Sequence, residues 1–279
     1  MERAHKTLVH RGYRVTMAPT TGPHTAGGIA REQIARGAGL IVVAGGDGTI
    51  NETAEGMIGT SVPLGVLPCG TANVLAMELK LGHDPARAAR HLDELKPRRI
   101  SVGHVVCEGG KVSRHFLLMA GIGLDAHVVY NVSAALKERT GKFAYWVAGW
   151  SLLGKPLVQM EVEIDGNKRR CSFVLLSRVR NYGGDFEIAR SVRLTDDTFE
   201  AVLFEGETST RYVKYFAGMA MGRLKGLEGV EILRAGHAKI GAAEKAYVQI
   251  DGELAGRLPA EVRIVPDALT LLVPEEYGK

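Results

Sequence analysis

The spacing of apolar and polar residues changes near residues 96–99, and this change divides the chain into two parts. In the first part, segments with apolar residues every three or four positions alternate with short apolar runs, as helices and buried strands do. Helices are expected at 2–11, 25–36, 51–57, 73–79 and 85–95, and strands at 13–18, 40–44 and 63–67. This alternation predicts a parallel sheet with helices on both faces and a ligand at the carboxyl ends of its strands.

In the second part, apolar residues recur at every second position, and turn signals separate the runs. Two hairpins are expected, one formed by 100–107 with 112–119 and one by 159–164 with 170–176. Further strands are expected at 198–204, 230–234, 246–250 and 262–265, and helices near 133–153 and 210–224. The pattern predicts an antiparallel β-sandwich. The fold class is therefore α/β with two domains, one built on a parallel sheet and one on a sandwich.

Composition narrows the class of protein. The 279 residues are 46% apolar and 24% charged, as in an ordinary globular protein of one large or two smaller domains. A formal net charge of +4 is too small to indicate nucleic-acid binding. Cys69, Cys107 and Cys171 are widely spaced, which favours reduced thiols over a disulfide framework or a zinc site. With no signal peptide and no uncharged apolar run of bilayer length, we expect a cytoplasmic protein that can contact a membrane from one side.

The stretch from Leu40 to Glu52 carries the strongest functional signal, because a buried strand ends at the sequence Gly-Gly-Asp-Gly-Thr and a helix then begins near Ile50. A strand, a glycine turn and a helix N-terminus in this order form a phosphate site. Asp47 places a negative charge where a phosphate is expected. Because that arrangement is repulsive without a cation or a proton transfer, the loop indicates Mg²⁺–ATP chemistry or a base acting on a hydroxyl.

Two further turns follow predicted strands. The first, at 67–73, offers Thr71 for a phosphate and Asn73 for a ribose or base edge, although Asn73 would equally suit a plain helix N-cap. Two such loops in one parallel sheet would converge on one crevice. The second, at 247–253, runs into Asp251, which would suit a general base for a hydroxyl or a simple Asp-Gly hairpin turn.

Three weaker signals remain. Asp125 could position polar groups or cap a helix. Asp196 and Asp197 could bind a metal, although most such pairs are solvated turn residues. The aromatic helix at Phe143–Leu153, which is framed by basic residues, would suit a membrane interface, a groove for an apolar substrate or an ordinary core.

The ordered set of 45–49 followed by Asn51-Glu52, then 70–73, then 251–253 resembles the diacylglycerol kinase catalytic-domain family. This family includes bacterial lipid kinases and the sphingosine and ceramide kinases, and it is distantly related to the NAD kinases. The resemblance covers nearly the whole chain. It implies ATP-dependent phosphorylation of a lipid hydroxyl, with the site in a cleft between an α/β domain (1–100 and the returning segment 266–279) and a sandwich domain (101–265).

The resemblance also implies roles for individual residues. Asp251 corresponds to the proposed catalytic base, and Asp47 remains an alternative base. Nucleotide-side positions are Gly45, Gly46, Gly48, Thr49, Gly70, Thr71, Asn73 and, near the nucleotide or a metal, Glu253. ATP and Mg²⁺ are the implied cofactors. A lipid is the implied substrate, with membrane contact near Phe143–Leu153. A homo-oligomer is left open.

The chain departs from the family pattern at three places. Its first residues correspond to the helix after the family's opening strand and Asn-Pro-x-Ser-Gly loop, so we expect the parallel sheet to lack that strand. Val74 stands where many bacterial members have Asp. Thr198 stands where enzymes with a structural magnesium have Gly, which weakens the metal interpretation of Asp196 and Asp197.

Two other functions compete with the lipid kinase. One is a kinase for a soluble acceptor such as NAD, since the glycine–aspartate loop is shared with that class. The other is a catalytically impaired protein that binds a lipid or a nucleotide, which the missing strand would favour.

Overall fold

A computed structural model describes residues 1–123, 157–182, 186–208, 210–242 and 246–278. The chain divides into two units, of which unit 1 is Met1–Val102 with Pro266–Lys279 and unit 2 is Gly103–Val265. Within the described ranges, no helix is long and apolar enough to cross a membrane.

Unit 1 is an α/β unit built on parallel strands. Its helices are α1 (Glu2–His10), α2 (Ala26–Ala35), α3 (Asp47–Met57), α4 (Val74–Glu78) and α5 (Pro85–Arg90), the last followed by a 3₁₀ turn at Leu92–Glu94. Strand β1 (Ile41–Gly45) pairs in parallel with β2 (Leu64–Pro68). The last strand of the chain, β16 (Ala260–Val273), pairs in parallel with β2 where Leu271 meets Leu64.

The apolar residues of α1, α5 and the two strands form one core. Ala4 and Leu8 of α1 belong to one buried cluster with Ala89 of α5, Leu67 of β2 and Leu272 of β16. The helical spacing of four residues between Ala4 and Leu8 places both on the buried face of α1. The alternation read from the sequence is therefore confirmed for these elements.

The strand predicted at Tyr13–Ala18 is wrong, because residues 13–20 adopt no regular secondary structure. Tyr13 and Val15 pack against the α1–α5 core. The alternation of apolar residues therefore predicted correctly which side chains of this segment face the core. A strand also needs a neighbour for its backbone N–H and C=O groups. In the part of the chain that the structure describes, no strand is paired with this segment.

Unit 2 is an antiparallel β-sandwich. The strands of unit 2 before β16 are β3 (Lys96–Cys107, which begins in unit 1), β4 (Val112–Phe116), β5 (Met119–Gly123), β6 (Met160–Ile164), β7 (Asn167–Cys171), β8 (Phe173–Ser177), β9 (Asn181–Tyr182), β10 (Phe186–Glu187), β11 (Phe199–Phe204), β12 (Val230–Ala235), β13 (His237–Ala242), β14 (Tyr247–Ile250) and β15 (Glu253–Arg257). One sheet has the order β16-β13-β6-β7, and the other has the order β12-β11-β8-β5-β14-β15. Helix α6 (Arg211–Ala220) follows β11 in the chain.

Alternate side chains of both sheets meet in one buried cluster, which includes Val162 and Ile240 from the first sheet and Leu176, Ala201 and Val248 from the second. The two-domain α/β and sandwich fold class is thereby confirmed. The predicted strand at 170–176 is wrong in one respect: it is two strands, because the chain passes from one sheet to the other between β7 and β8.

Candidate functional site

The first glycine loop is shorter than the sequence indicated. Strand β1 ends at Gly45, Gly46 is the N-cap of α3 in an extended conformation, and Asp47 already belongs to that helix. An acidic residue in the first turn suits the positive end of the helix dipole. The predicted helix start, one turn further along the chain, is therefore wrong, and Gly48 and Thr49 lie in the first turn of α3.

The side chain of Asp47 caps a neighbouring helix. Its Oδ2 accepts a hydrogen bond from the Val74 amide at 3.1 Å, and its Oδ1 accepts one from the Leu75 amide at 3.2 Å. These are the first two amides of α4, and the residue before them provides no side-chain cap. A carboxylate at this position satisfies unpaired donors and interacts favourably with the helix dipole. The Asp47 carboxylate therefore connects α3, which follows the first glycine loop, to α4, which follows the second.

Asn73 closes the second glycine loop. Its Oδ1 accepts a hydrogen bond from the Gly70 amide at 2.8 Å, and its Nδ2 donates one to the Gly70 carbonyl at 2.7 Å. The side chain is buried, and the backbone has a positive φ of 50°. Asn73 is the N-cap residue of α4 by position, but its side chain binds Gly70 and does not cap the helix. Thr71 lies exposed in the same loop.

The two glycine loops touch through their backbones. The Cys69 amide donates to the Gly45 carbonyl at 3.1 Å, which continues the β1–β2 ladder into the loops. A Cβ atom built on Gly70 would lie 2.4 Å from Cα of Gly46, closer than real Cβ atoms approach. The glycines therefore allow the loops to pack on each other.

Gly70→Ala should destabilise the protein by about 1–3 kcal/mol, because overpacking against backbone forces the loops apart. The matched control is Gly28→Ala in α2, where an added Cβ has nothing within 4 Å. That change should be neutral or stabilising by up to about 1 kcal/mol, from higher helix propensity and lower unfolded-state entropy. Urea denaturation measures both variants, and equal stabilities would show that the loop contact is not tight.

The helix N-termini of unit 1 differ in how their amides are satisfied. Glu52 of α3 accepts hydrogen bonds from the amides of His24 at 2.9 Å and Ala26 at 3.3 Å, at the start of α2. Asp47 caps α4, and Asp84 caps α5. The N-cap of α3 is Gly46, which has no side chain that could cap the helix. Because free helix amides after a parallel strand bind phosphate, the first turn of α3 is the candidate anion site.

The second candidate aspartate lies in a tight hairpin turn of unit 2. Asp251 and Gly252 both have positive φ, 48° and 83°, and they join Ile250 of β14 to its partner Glu253 of β15. These are the values that a two-residue type I′ turn requires. The hairpin interpretation is therefore correct, and the carboxylate has a further function in the fold.

The Asp251 carboxylate binds a bend between β4 and β5. Its Oδ2 accepts from the Leu117 amide at 2.8 Å, and its Oδ1 accepts from the amides of Leu118 at 3.0 Å and Met119 at 2.9 Å. The Asp251 amide donates to the Met119 carbonyl at 3.0 Å. Amide donors stabilise an ionised carboxylate and hold it in one orientation.

Arg178 supports the same bend, and the sequence analysis did not identify it. The side chain is fully buried. Its guanidinium donates to the carbonyls of Leu117 at 3.3 Å and Leu194 at 2.6 Å, and its backbone amide donates to the Leu118 carbonyl at 2.8 Å. The available signal was an arginine at the end of the apolar run 173–179, where a charge needs buried partners.

Glu253 and Asp196, one of the two metal candidates, contact cations. Oε2 of Glu253 lies 3.2 Å from Nη2 of Arg114, and Oδ2 of Asp196 accepts from Nη1 of Arg234 at 2.8 Å. Asp197 is exposed. Across the described ranges, no group of three or more His, Cys, Asp or Glu side chains is placed to hold a metal ion.

Two predicted features lie outside the described residues, namely Asp125 and the aromatic helix at Phe143–Leu153.

Comparison with known proteins places both units in described families. "Diacylglycerol kinase catalytic domain" matches residues 1–105, and "YegS C-terminal NAD kinase beta sandwich-like domain" matches residues 119–273. The chain is 28% identical over 275 residues to a diacylglycerol kinase of Bacillus subtilis, covering 96% of this chain and 88% of that one. It is 27% identical over 273 residues to a diacylglycerol kinase of Mycobacterium tuberculosis, covering 96% and 87%. A crystal structure of a diacylglycerol kinase from Bacillus anthracis superposes with a TM-score of 0.77 at 20% identity, covering 97% and 92%.

These matches define the class of protein. The chain belongs to the lipid kinase family that joins a diacylglycerol kinase catalytic domain to a YegS-type sandwich domain. The resemblance seen in the two glycine loops and the 251–253 turn is thereby confirmed.

Proposed function

We propose that this protein transfers the γ-phosphoryl group of ATP to the hydroxyl of a diacylglycerol-like or sphingoid lipid. The observation that carries the proposal is the contrast among helix N-termini in unit 1. Carboxylates of α3 cap α2 and α4, whereas α3 begins at a glycine without a side-chain cap. Helix α3 is the helix that begins directly after strand β1 and the first glycine loop, so we assign its N-terminus to a phosphate. The relatives' names support a lipid as acceptor.

The residues of the two loops fit the phosphates of a nucleotide. Gly45 and Gly46 are partly exposed at the end of β1, and the amides of Gly48 and Thr49 lie in the first turn of α3. We assign these four positions to the phosphates. Thr71, which is exposed in the second loop, would add a hydroxyl donor. Bound ATP supplies the phosphoryl group.

Gly70 and Asn73 would act by shaping the second loop. The side-chain amide of Asn73 is hydrogen-bonded to both the N–H and the C=O of Gly70. Gly70 in turn packs against Gly46. The affinity for a nucleotide bound to one loop would therefore depend on the position of the other loop. We also keep Glu253 on the nucleotide side, with Arg114 as its partner.

Mg²⁺ is proposed as a partner of the nucleotide rather than as an ion held in a protein cage. Both oxygens of Asp47 accept α4 amides, and Asp196 is paired with Arg234. Mg²⁺ commonly keeps several waters and binds through substrate phosphates with few protein ligands. The described residues therefore fit a metal that arrives with ATP better than a resident metal.

Asp251 is the proposed general base. Its carboxylate would take the proton of the lipid hydroxyl as the hydroxyl oxygen attacks the γ-phosphorus and ADP leaves, and the amides of 117–119 hold the carboxylate in one orientation. Asp47 is the alternative base. Because its carboxylate joins α3, after the first loop, to α4, after the second, we propose that Asp47 mainly positions the two loops.

Phosphoryl transfer to alternative acceptors tests the proposal. The recombinant chain with Mg²⁺–ATP should phosphorylate diacylglycerol or a sphingoid base in mixed micelles, measured as radiolabelled lipid phosphate. Each acceptor is assayed separately. Phosphorylation of NAD alone would overturn the lipid assignment, and ATP binding without transfer to any extracted lipid would indicate a non-catalytic binder.

A soluble acceptor such as NAD is the second candidate. The specific observation in its favour is the sandwich unit, because the family it matches is described as NAD kinase-like. The names of the full-length relatives favour the lipid. We further propose that the lipid contacts the segment Phe143–Leu153, and we propose no role for nucleic acid.

A further inference from the structure

Three neighbouring strands of unit 2 place Arg178 and Asp251 on opposite sides of one short bend. Strand β5 lies between β8 and β14 in their sheet. The bend at 117–119 leads into β5, Arg178 follows the end of β8, and Asp251 follows the end of β14. Because β5 is antiparallel to both neighbours, the two charged residues lie at the same end of the sheet, with the bend between them.

The peptide group between Leu117 and Leu118 connects the guanidinium to the carboxylate. Its C=O accepts a hydrogen bond from Nη1 of Arg178 at 3.3 Å, and its N–H donates one to Oδ1 of Asp251 at 3.0 Å. A hydrogen bond at one end of a peptide group polarises the group and strengthens the hydrogen bond at the other end. The cation and the carboxylate are thus joined through a single peptide.

The next peptide group repeats this arrangement with the backbone of the arginine. The C=O of Leu118 accepts from the Arg178 amide at 2.8 Å, and the N–H of Met119 donates to Oδ1 of Asp251 at 2.9 Å. Arg178 therefore binds the bend through two carbonyls, and Asp251 binds the amides of the same two peptides. A shift of the bend on the Arg178 side would move the donors that orient the carboxylate.

The guanidinium also joins the bend to a second loop. Its Nη2 donates to the Leu194 carbonyl at 2.6 Å. That loop is itself held in place, because Nη1 of Arg234 donates to Oδ2 of Asp196 at 2.8 Å. A planar guanidinium holds two acceptors at fixed relative positions, which a more flexible ammonium group does not. The bend is thereby fixed to a loop that is anchored independently.

Stability alone gives a weak reason for an arginine at this position. The Arg178 side chain is fully buried, and burial removes the charged group from water. Well-packed apolar residues of similar volume are often as stable as buried charged groups, or more stable. Orientation of the bend gives a stronger reason, because the bend carries three amides that donate to the Asp251 carboxylate.

We infer that Arg178 is a positioning residue for phosphoryl transfer, which holds the bend 117–119 and through it the orientation of the Asp251 carboxylate. The inference rests on the proposed function, in which Asp251 takes the proton of the acceptor hydroxyl. A displacement of about 1 Å near a reacting group can lower a rate about 10²-fold. Loss of the guanidinium should therefore lower kcat and leave the binding of ATP unchanged.

Substitution of Arg178 tests the effect on turnover. Arg178→Met fills a similar volume without donors, and it should lower kcat about 10- to 100-fold at an unchanged KM for ATP. Arg178→Lys keeps a charged donor without the planar fork, so its kcat should lie between those of wild type and the methionine variant. Urea denaturation verifies that each variant is folded, and the lysine variant replaces the methionine variant in every comparison if methionine prevents folding.

A double-variant cycle separates positioning of Asp251 from a general structural role. If Arg178 acts through Asp251, adding Arg178→Met to Asp251→Asn should lower kcat by less than about a further twofold. Combined with Asp47→Asn, the two losses should multiply, because Asp47 acts on the glycine loops. Losses that also multiply in the Asp251 cycle would overturn the inference.

The matched control is Arg169→Met. The Arg169 guanidinium also donates to two carbonyls, those of Ile164 at 3.3 Å and Asn167 at 3.1 Å, at the hairpin turn between β6 and β7. This variant should keep the wild-type kcat. A loss as large as that of Arg178→Met would contradict the inference, because any arginine that holds a turn of unit 2 would then have the same effect.

Hydrogen exchange of the Leu118 and Met119 amides, measured by NMR, tests the bend without requiring catalysis. Relative to amides of β11 in the same sheet, both should exchange about fivefold faster or more in Arg178→Met and at wild-type rates in Arg169→Met. Unchanged exchange in Arg178→Met overturns the inference, whether or not the wild type is active. A wild type that phosphorylates no lipid contradicts the proposed function, whereas faster exchange in that same protein still supports the control of the bend by Arg178.

Discussion

Asp47→Asn is expected to lower phosphoryl transfer by roughly 10²-fold or more, and also to lower stability and ATP affinity. Asparagine keeps one acceptor oxygen, so its amide nitrogen would face either the Val74 or the Leu75 N–H that Asp47 now satisfies. A partly buried donor left without a partner costs about 1–3 kcal/mol. The start of α4 should move, and the second glycine loop with it. Turnover, urea denaturation and ATP titration measure the three effects.

The three measurements distinguish a positioning role from a catalytic one. If Asp47 were only the base, its asparagine variant would lose turnover while keeping wild-type stability and ATP affinity. We expect stability and affinity to change together, because the same carboxylate joins the two loops. Wild-type values of both would contradict the positioning role.

Asp84→Ala is the control for the loss of a helix cap, because asparagine would cap about as well as aspartate. Asp84 accepts a hydrogen bond from the Ala86 amide at 2.8 Å, at the start of α5 and outside both glycine loops in the chain. Weakening this cap should cost at most about 2 kcal/mol of stability. Turnover and ATP affinity should stay at wild-type levels. A similar loss of turnover in this control would mean that any destabilisation of unit 1 abolishes activity.

Asp251→Asn is expected to lower turnover by roughly 10²-fold or more while leaving ATP affinity unchanged. Asparagine cannot accept from all the amides of Leu117, Leu118 and Met119, and it cannot take a proton from a hydroxyl at neutral pH. Its cost in stability should be about 1–3 kcal/mol. Steady-state turnover and ATP titration check the prediction. Near-normal turnover in both this variant and the Asp47 variant would refute the mechanism.

The chain supplies a close control for the turn itself. Asp165 and Gly166 form the same kind of Asp-Gly hairpin turn between β6 and β7, with φ values of 52° and 74°. Asp165 is exposed. Since asparagine also adopts positive φ readily, Asp165→Asn should leave turn, stability and turnover unchanged. A loss of turnover there would show that the Asp251 result reports turn geometry and not the carboxylate.

Several features of the site could be predicted because they depend on neighbouring residues. The end of β1 at Gly45 follows from an apolar run meeting glycines, and the turn at Asp251-Gly252 follows from the backbone preferences of that dipeptide. The family resemblance also depended on such short motifs. The predictions that proved wrong depended on which distant strands pair with a segment. The segment 13–18 has the spacing of a strand but no strand paired with it among the described residues, and 170–176 passes between two sheets.

The sequence by itself determined the two-part fold class, the two glycine loops, the tight turn at Asp251 and the family, because local apolar spacing and backbone preferences act over a few residues. Only the tertiary structure decided what the charged side chains do. Asp47 is 27 and 28 positions from the amides it caps, and Asp251 is 132 to 134 positions from the amides that hold it. A carboxylate is stabilised by whichever donors the fold brings within hydrogen-bonding distance, and separation along the chain does not specify those donors.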